Sequence, residues 1–163
     1  MTQKSDEVNF YRDELGDLLP EKAKLSNEEE VYVIPLARGE VRKLSMLDGL
    51  ELETYILTKK VKKPLIDETE VNRVKPKYVE LLIKAVYEVS GIDTNKTLKE
   101  NEDEFSLHLK KVRNERKDAD LIHFLHKYNY TFFNIGKLTY SEINMLITAF
   151  NREQEQKNRS IKK

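Results

Sequence analysis

The stretch KPKYVELLIKAVYEVSG, Lys75–Gly91, decides how the rest of the chain reads. Pro76 suits the first helical position, where a missing N–H leaves no bond unmade, and Gly91 suits the left-handed residue that closes a helix. Between them Val79, Leu82, Ile83, Val86 and Val89 or Ser90 recur at steps of three and four, while Lys77, Glu80, Lys84 and Glu88 fall on the other side. That period gives one apolar face and one wet face. A helix of this kind belongs at the centre of a core, and none of its side chains performs chemistry.

Upstream, Val31–Ile34 is a short β-favouring run stopped by Pro35, which reads as an edge strand or an extended lead-in. Gly39–Leu47 places Val41, Leu44 and Leu47 or Met46 at helical spacing and ends near Asp48-Gly49, so a short helix is expected there. Leu50–Val61 fits both periods. The order of Glu51 and Glu53 before Lys59 and Lys60 suits a helix macrodipole, and Pro64 closes the segment.

Downstream, Thr97 followed by Glu100 has the spacing of a capping box and starts a helix at Leu98. Phe105, Leu109 and Val112 form one face, whereas Leu121, Phe124, Leu125 and Tyr128 lie about half a turn out of phase. The pattern therefore calls for a break between Asn114 and Asp118, with Asp118 capping a second helix, or for one long helix with different neighbours on its two sides. The loop NYTFFNIG follows, Asn129–Gly136. Thr139 with Glu142 is a second capping box, opening a helix that turns Ile143, Leu146, Ile147 and Phe150 to one side.

The ends read differently. Residues 1–30 hold four basic and nine acidic side chains, a balance of −5, and form an acidic N-terminal arm in which Phe10, Tyr11, Leu15, Leu18 and Leu19 fit two turns of helix or a frayed terminus. Residues 152–163, with five basic and two acidic side chains, read as a frayed polar tail of balance +3. The fold class that results is mainly α: a compact helical domain of about five helices over residues 31–151, with a short N-terminal extended or β segment and frayed ends.

Composition narrows the function. Across 163 residues the 29 basic and 29 acidic side chains cancel and interleave, which gives no concentrated basic surface for nucleic acid. Zero cysteines exclude disulfides and thiolate metal sites and fit a reducing compartment. The start MTQKSDEVNF has no signal-peptide pattern, and no apolar run is long enough to span a membrane, so a cytoplasmic chain is expected.

Chemistry is hard to place in this sequence. Asp120, His123 and His126 stand three apart, but the outer two span too much of a helix circumference to converge on one metal with both neighbours. His108 lies elsewhere. Carboxylate pairs such as Glu102 and Glu104, or Asp118 and Asp120, sit in dense charge and read as helix-solvating. There is no nucleophile elbow and no glycine-rich phosphate loop. The expectation is no enzyme, no cofactor and no metal. Tyr130, Phe132 and Phe133 crowd one short loop and are the candidate partner-binding residues, since aromatic anchors dominate interfaces; as core plugs they would serve the fold instead.

The succession VYVIPLARGEVRKLSMLDG, Val31–Gly49, then ETYILTKKVKKPLI, Glu53–Ile66, then the central helix, resembles the tail assembly chaperones of long-tailed bacteriophages, as does LTYSEINMLITAFNREQE, Leu138–Glu155. The likeness covers Val31–Gly91 and Leu138–Glu155. It implies a non-enzymatic phage protein in the host cell cytoplasm that binds the tape measure protein and helps recruit tail tube subunits, with a homo-oligomer left open. A structural or regulatory phage morphogenesis protein built into the particle is the alternative.

Overall fold

The computed structural model describes residues 12–115, 118–128, 130 and 135–161. Among them are three strands and six α-helices: β1 (Glu21–Lys24), β2 (Glu30–Val33), α1 (Arg38–Leu44), α2 (Gly49–Tyr55), β3 (Val61–Lys63), α3 (Pro76–Ser90), α4 (Leu98–Glu115), α5 (Asp118–Lys127) and α6 (Tyr140–Ile161). The fold is mainly α with a small sheet, as the periodicities require.

The sheet is an antiparallel meander in the order β1-β2-β3. Val31 and Val33 on β2 are fully buried while Tyr32 faces outward, 5.8 Å from the Lys63 ammonium. Alternation of this kind is what a sheet with one covered face imposes. The expected edge strand is thus the central one. Its partners escaped notice because Glu21–Lys24, EKAK, and Val61–Lys63, VKK, carry hardly any apolar signal and are ordered by pairing with β2. The sheet also begins before the domain boundary expected at residue 31. From Arg12 onward the acidic arm belongs to the fold.

Two turns of helix were expected between Phe10 and Leu19. Phe10 and Tyr11 lie outside the described residues, and Arg12 to Leu18 form a tight turn closed by a β-bridge. Gly16 supplies the left-handed conformation that turn requires, at φ 84°. Leu50–Val61 is helical as far as Tyr55, continues as a π-helical turn over Ile56–Lys60, and then becomes β3. Residues 116 and 117, where a break or a continuous helix is expected, lie outside the described residues; α4 is described to Glu115 and α5 from Asp118. Residues 152–161 are not a frayed tail: they continue α6, whose buried side chains end at Phe150.

The central helix is the one the sequence announces. Pro76 opens α3, Gly91 closes it at φ 77°, and Val79, Leu82, Ala85, Val86 and Ser90 are buried. Ser90 Oγ donates to Val86 O and accepts from the N–H of Leu36, which ties the end of α3 to the chain leading into α1. At Gly91 the backbone of α6 comes very close: a Cβ would stand 2.2 Å from Ser141 Oγ and 3.0 Å from Ser141 N. Gly91→Ala should therefore lose stability both through its backbone conformation and through that collision, by about 2–4 kcal/mol in chemical denaturation. Gly49→Ala, where a Cβ meets nothing within 4 Å, should shift the midpoint by less than ~0.5 kcal/mol.

Candidate functional site

Helices α4, α5 and α6 converge on a groove of about 560 Å³. Leu109 and Val112 line it from α4, Leu121, Phe124 and Leu125 from α5, and Ile143, Leu146 and Ile147 from α6, together with Ile135. The out-of-phase faces of α4 and α5 explain its existence. An apolar stripe that changes phase along the chain brings the Val112 side and the Phe124 side to α6 from different directions. Phe124 anchors the floor, edge-on to Phe150 with centroids 5.3 Å apart and tilted against Tyr128 at 5.1 Å.

Arg38, Lys110 and Arg113 supply the charged part of the lining, and no carboxylate is among the described lining residues. Arg38 is held in place by several contacts. Its backbone N–H donates to Leu138 O at 2.7 Å, its Nη2 donates to Glu102 Oε1 at 2.9 Å and to Ser106 Oγ at 3.3 Å, and its guanidinium lies 5.3 Å from the Phe105 ring centroid. Arg38 Nε is buried without a partner. The Phe105 ring stacks on Tyr140 at 4.2 Å, and the Tyr140 hydroxyl donates to Glu102 Oε2. Burial, that hydrogen bond and the Glu102 charge together hold the Tyr140 hydroxyl far above the ordinary phenol range.

Glu102 is accordingly not a solvating carboxylate. It is 8% exposed, while Glu104 remains at the surface against Lys96. The signal was present in the sequence, because Glu102 stands on the stripe that carries Leu98, Phe105 and Val112. An acid on an apolar stripe has a buried partner or none at all.

A second buried carboxylate, Glu142, stands at the start of α6. Glu142 is 1% exposed; its Oε1 accepts from Thr139 N at 2.9 Å, and its own N–H donates to Thr139 Oγ1 at 3.1 Å, which completes the expected capping box. Arg12 reaches across the sequence to the same carboxylate, with Nε donating at 3.0 Å and Nη2 at 2.6 Å, and also donates to Lys137 O at 2.8 Å. Nearby, burial and then the Glu142 charge raise the Glu21 carboxyl above its usual value of 4.5.

Of the candidate partner-binding residues, Tyr130 is half-buried and packs against the core, with its N–H donating to Leu125 O at 2.9 Å. Its hydroxyl is raised by burial first and the Glu142 charge second. Phe132 and Phe133 lie outside the described residues. His123 and His126 are exposed, and among the described residues no three His, Cys, Asp or Glu side chains group to hold a metal. No described helix is long and apolar enough to cross a membrane. The Asp118 side chain, expected to cap α5, lies outside the described set.

Comparison of the chain with protein-family models, with curated proteins and with solved structures finds no match in any of the three. The groove and its charged surround are therefore the features from which function has to be argued.

Two outcomes follow for this region. Glu142→Ala removes a helix cap and strands the Arg12 guanidinium, and should cost about 3 kcal/mol in urea denaturation. The pH dependence has a defined sign at Glu21. Its folded-state value lies above 4.5, so its contribution to stability is full below 4.5 and is lost as pH rises through the raised value. Glu21→Gln should melt at the parent's temperature near pH ~4 and above it near pH ~7, in line with ordinary glutamate titration.

Proposed function

We propose that this chain is a non-enzymatic assembly chaperone of the long-tailed bacteriophage type. In the host cell cytoplasm it holds the tape measure protein until tail tube subunits take over. The groove between α4, α5 and α6 carries the reading, beside the resemblance of the stretches Val31–Gly91 and Leu138–Glu155 to that family. A tape measure is a very long helix with apolar faces that aggregates when unshielded, and a helical groove with an apolar floor takes one such face at helical spacing. The cations of the lining suit a client whose apolar stripe is bordered by carboxylates.

Capture by many copies, each binding weakly, suits the task. A multivalent coat is firm as a whole yet comes off one copy at a time as tube subunits advance. Such work needs no covalent chemistry, cofactor or metal.

The test is co-expression with the tape measure protein. The parent chain should keep the client soluble, while Leu121→Asp, or Phe132→Ser with Phe133→Ser, should leave it in the pellet without lowering the chaperone's own melting temperature by more than a few degrees. A client that is equally insoluble with and without this chain sinks the reading. The other reading, a subunit of the mature particle, draws on the outer half of α6, residues 151–161, which extends past the core with mostly exposed side chains. Mass spectrometry of purified particles separates the two: a chaperone is absent from them, and a structural subunit is present in stoichiometric copies.

A further inference from the structure

The segment 12–19 is joined to the domain through one side chain. Residues 13–17 and Leu19 are exposed, and only Arg12 and Leu18 are half-buried. The hydrogen bonds of the turn run back onto the segment itself: Asp13 Oδ1 accepts from the N–H groups of Leu15 and Asp17, both at 2.9 Å, and Asp13 O accepts from Gly16 N at 3.0 Å. A turn braced in this way moves as one piece. Among the described residues, the side-chain hydrogen bonds that cross from it to the domain all start at Arg12, which donates to Glu142 and to Lys137 O. Packing beneath the segment is incomplete, with a cavity of about 80 Å³ between Leu18 and Pro35, Val89, Thr139 and Ser141. Lifting the segment therefore forfeits few dispersion contacts.

The other half of the joint is built without the segment. Thr139 N–H donates to Glu142 Oε1, Glu142 N–H donates to Thr139 Oγ1, and Lys137 ends the short 3-10 turn Ile135–Lys137. The acceptors thus lie on residues 137–142 and are held there by their own neighbours. They are spaced for a fork: Arg12 Nε meets Glu142 Oε2, while Nη2 meets both Glu142 Oε1 and Lys137 O. A planar guanidinium reaches all three at once, and an ammonium has no such geometry. Glu21 lines the same cavity as Glu142, so two carboxylates stand beside one guanidinium. The socket suits a cation of this shape in sign as well as in geometry.

We propose that residues 137–142 form a binding site for an arginine side chain, occupied in cis by Arg12 on a strap that lifts from the folded domain as a unit. The strap swings at the exposed Leu19-Pro20 pair, just ahead of β1. When it lifts, Glu142 keeps its place at the start of α6 through the Thr139 cap, and water or an arginine from another polypeptide enters the socket. Arg12 is a resident ligand at high effective concentration, so an arginine supplied in trans succeeds when the segment around it adds contacts of its own. Lifting and capture share one equilibrium, and each favours the other. The inference is independent of the groove and of the client that the groove holds.

Two measurements on the full chain test this. In the parent, NMR should find the Arg12 Nε–H at least about 100-fold less protected from solvent exchange than the Ile143 N–H, which donates to Thr139 O inside α6. Millimolar Nα-acetylarginine amide should lower the Arg12 protection further and leave Ile143 unchanged. Equal protection at the two groups would mean that the strap leaves only when the domain unfolds, and would overturn the proposal. In Arg12→Ala, where the socket is vacant, the same compound should raise the melting temperature saturably, by about 3–6 °C at about ten times its Kd. Nα-acetyllysine amide should give less than about a third of that shift, and adding Glu142→Gln should abolish it. No saturable shift, or an equal shift with the lysine compound, overturns the site. Should Arg12→Ala not fold, the response of the parent's Arg12 Nε–H to the arginine compound decides alone.

Discussion

The ion pair between Arg12 and Glu142 is the constraint on which the rest of the molecule leans. It joins residues 130 positions apart, at a carboxylate that is 1% exposed. Burying both charges costs several kcal/mol, and the cost is offset only because nearly every oxygen and N–H involved finds a partner. Glu142 meets two guanidinium N–H groups and the Thr139 N–H; Arg12 also reaches Gly16 O and Lys137 O. One side chain thereby starts α6, seats the N-terminal turn, and sets Ser141 against Gly91. The position of α6 then fixes Ile143, Leu146 and Ile147, which are both core and groove wall.

The same device recurs where other elements meet. Arg38 and Glu102 join the start of α1 to α4, and Lys60 and Glu40 join the π-helical turn to α1, with Tyr55 donating to the same Glu40. Dispersion and burial would be nearly satisfied by several slightly shifted packings of greasy helices. A buried charge tolerates only the packing that brings its partner. In this chain the ionic joints therefore select the arrangement, while leucine, valine and phenylalanine supply the driving force.

Much of this was legible in the sequence because the signals are local. Pro76 with Gly91 marks a helix that needs no outside help to be recognised, and Thr139 with Glu142 marks another. The phase change between Val112 and Leu121 marks a stripe that meets different neighbours on its two sides. The strands flanking β2 were hidden because EKAK and VKK acquire their structure from a neighbour rather than from their own side chains. The outer half of α6 was hidden for a related reason: REQEQKNRS lacks an apolar stripe, yet it consists of good helix formers continuing a helix already nucleated. The groove could not be read at all, since it exists only where three helices meet, and each contributes residues that look like plain core. Glu102 and Glu142 were readable in principle, as acids standing among apolar neighbours at helical spacing.

Lys60 gives the architecture a chemical signature. It is 8% exposed, with its ammonium 2.7 Å from Glu40 Oε1 and 3.5 Å from Pro35 O, in a chain whose other described lysines stand mostly in water. An amine-selective acylating reagent will find those others at once. Lys60 yields only during the moments when the junction of the sheet with α1 comes apart, so the lag in its modification is a clock for local opening of this corner.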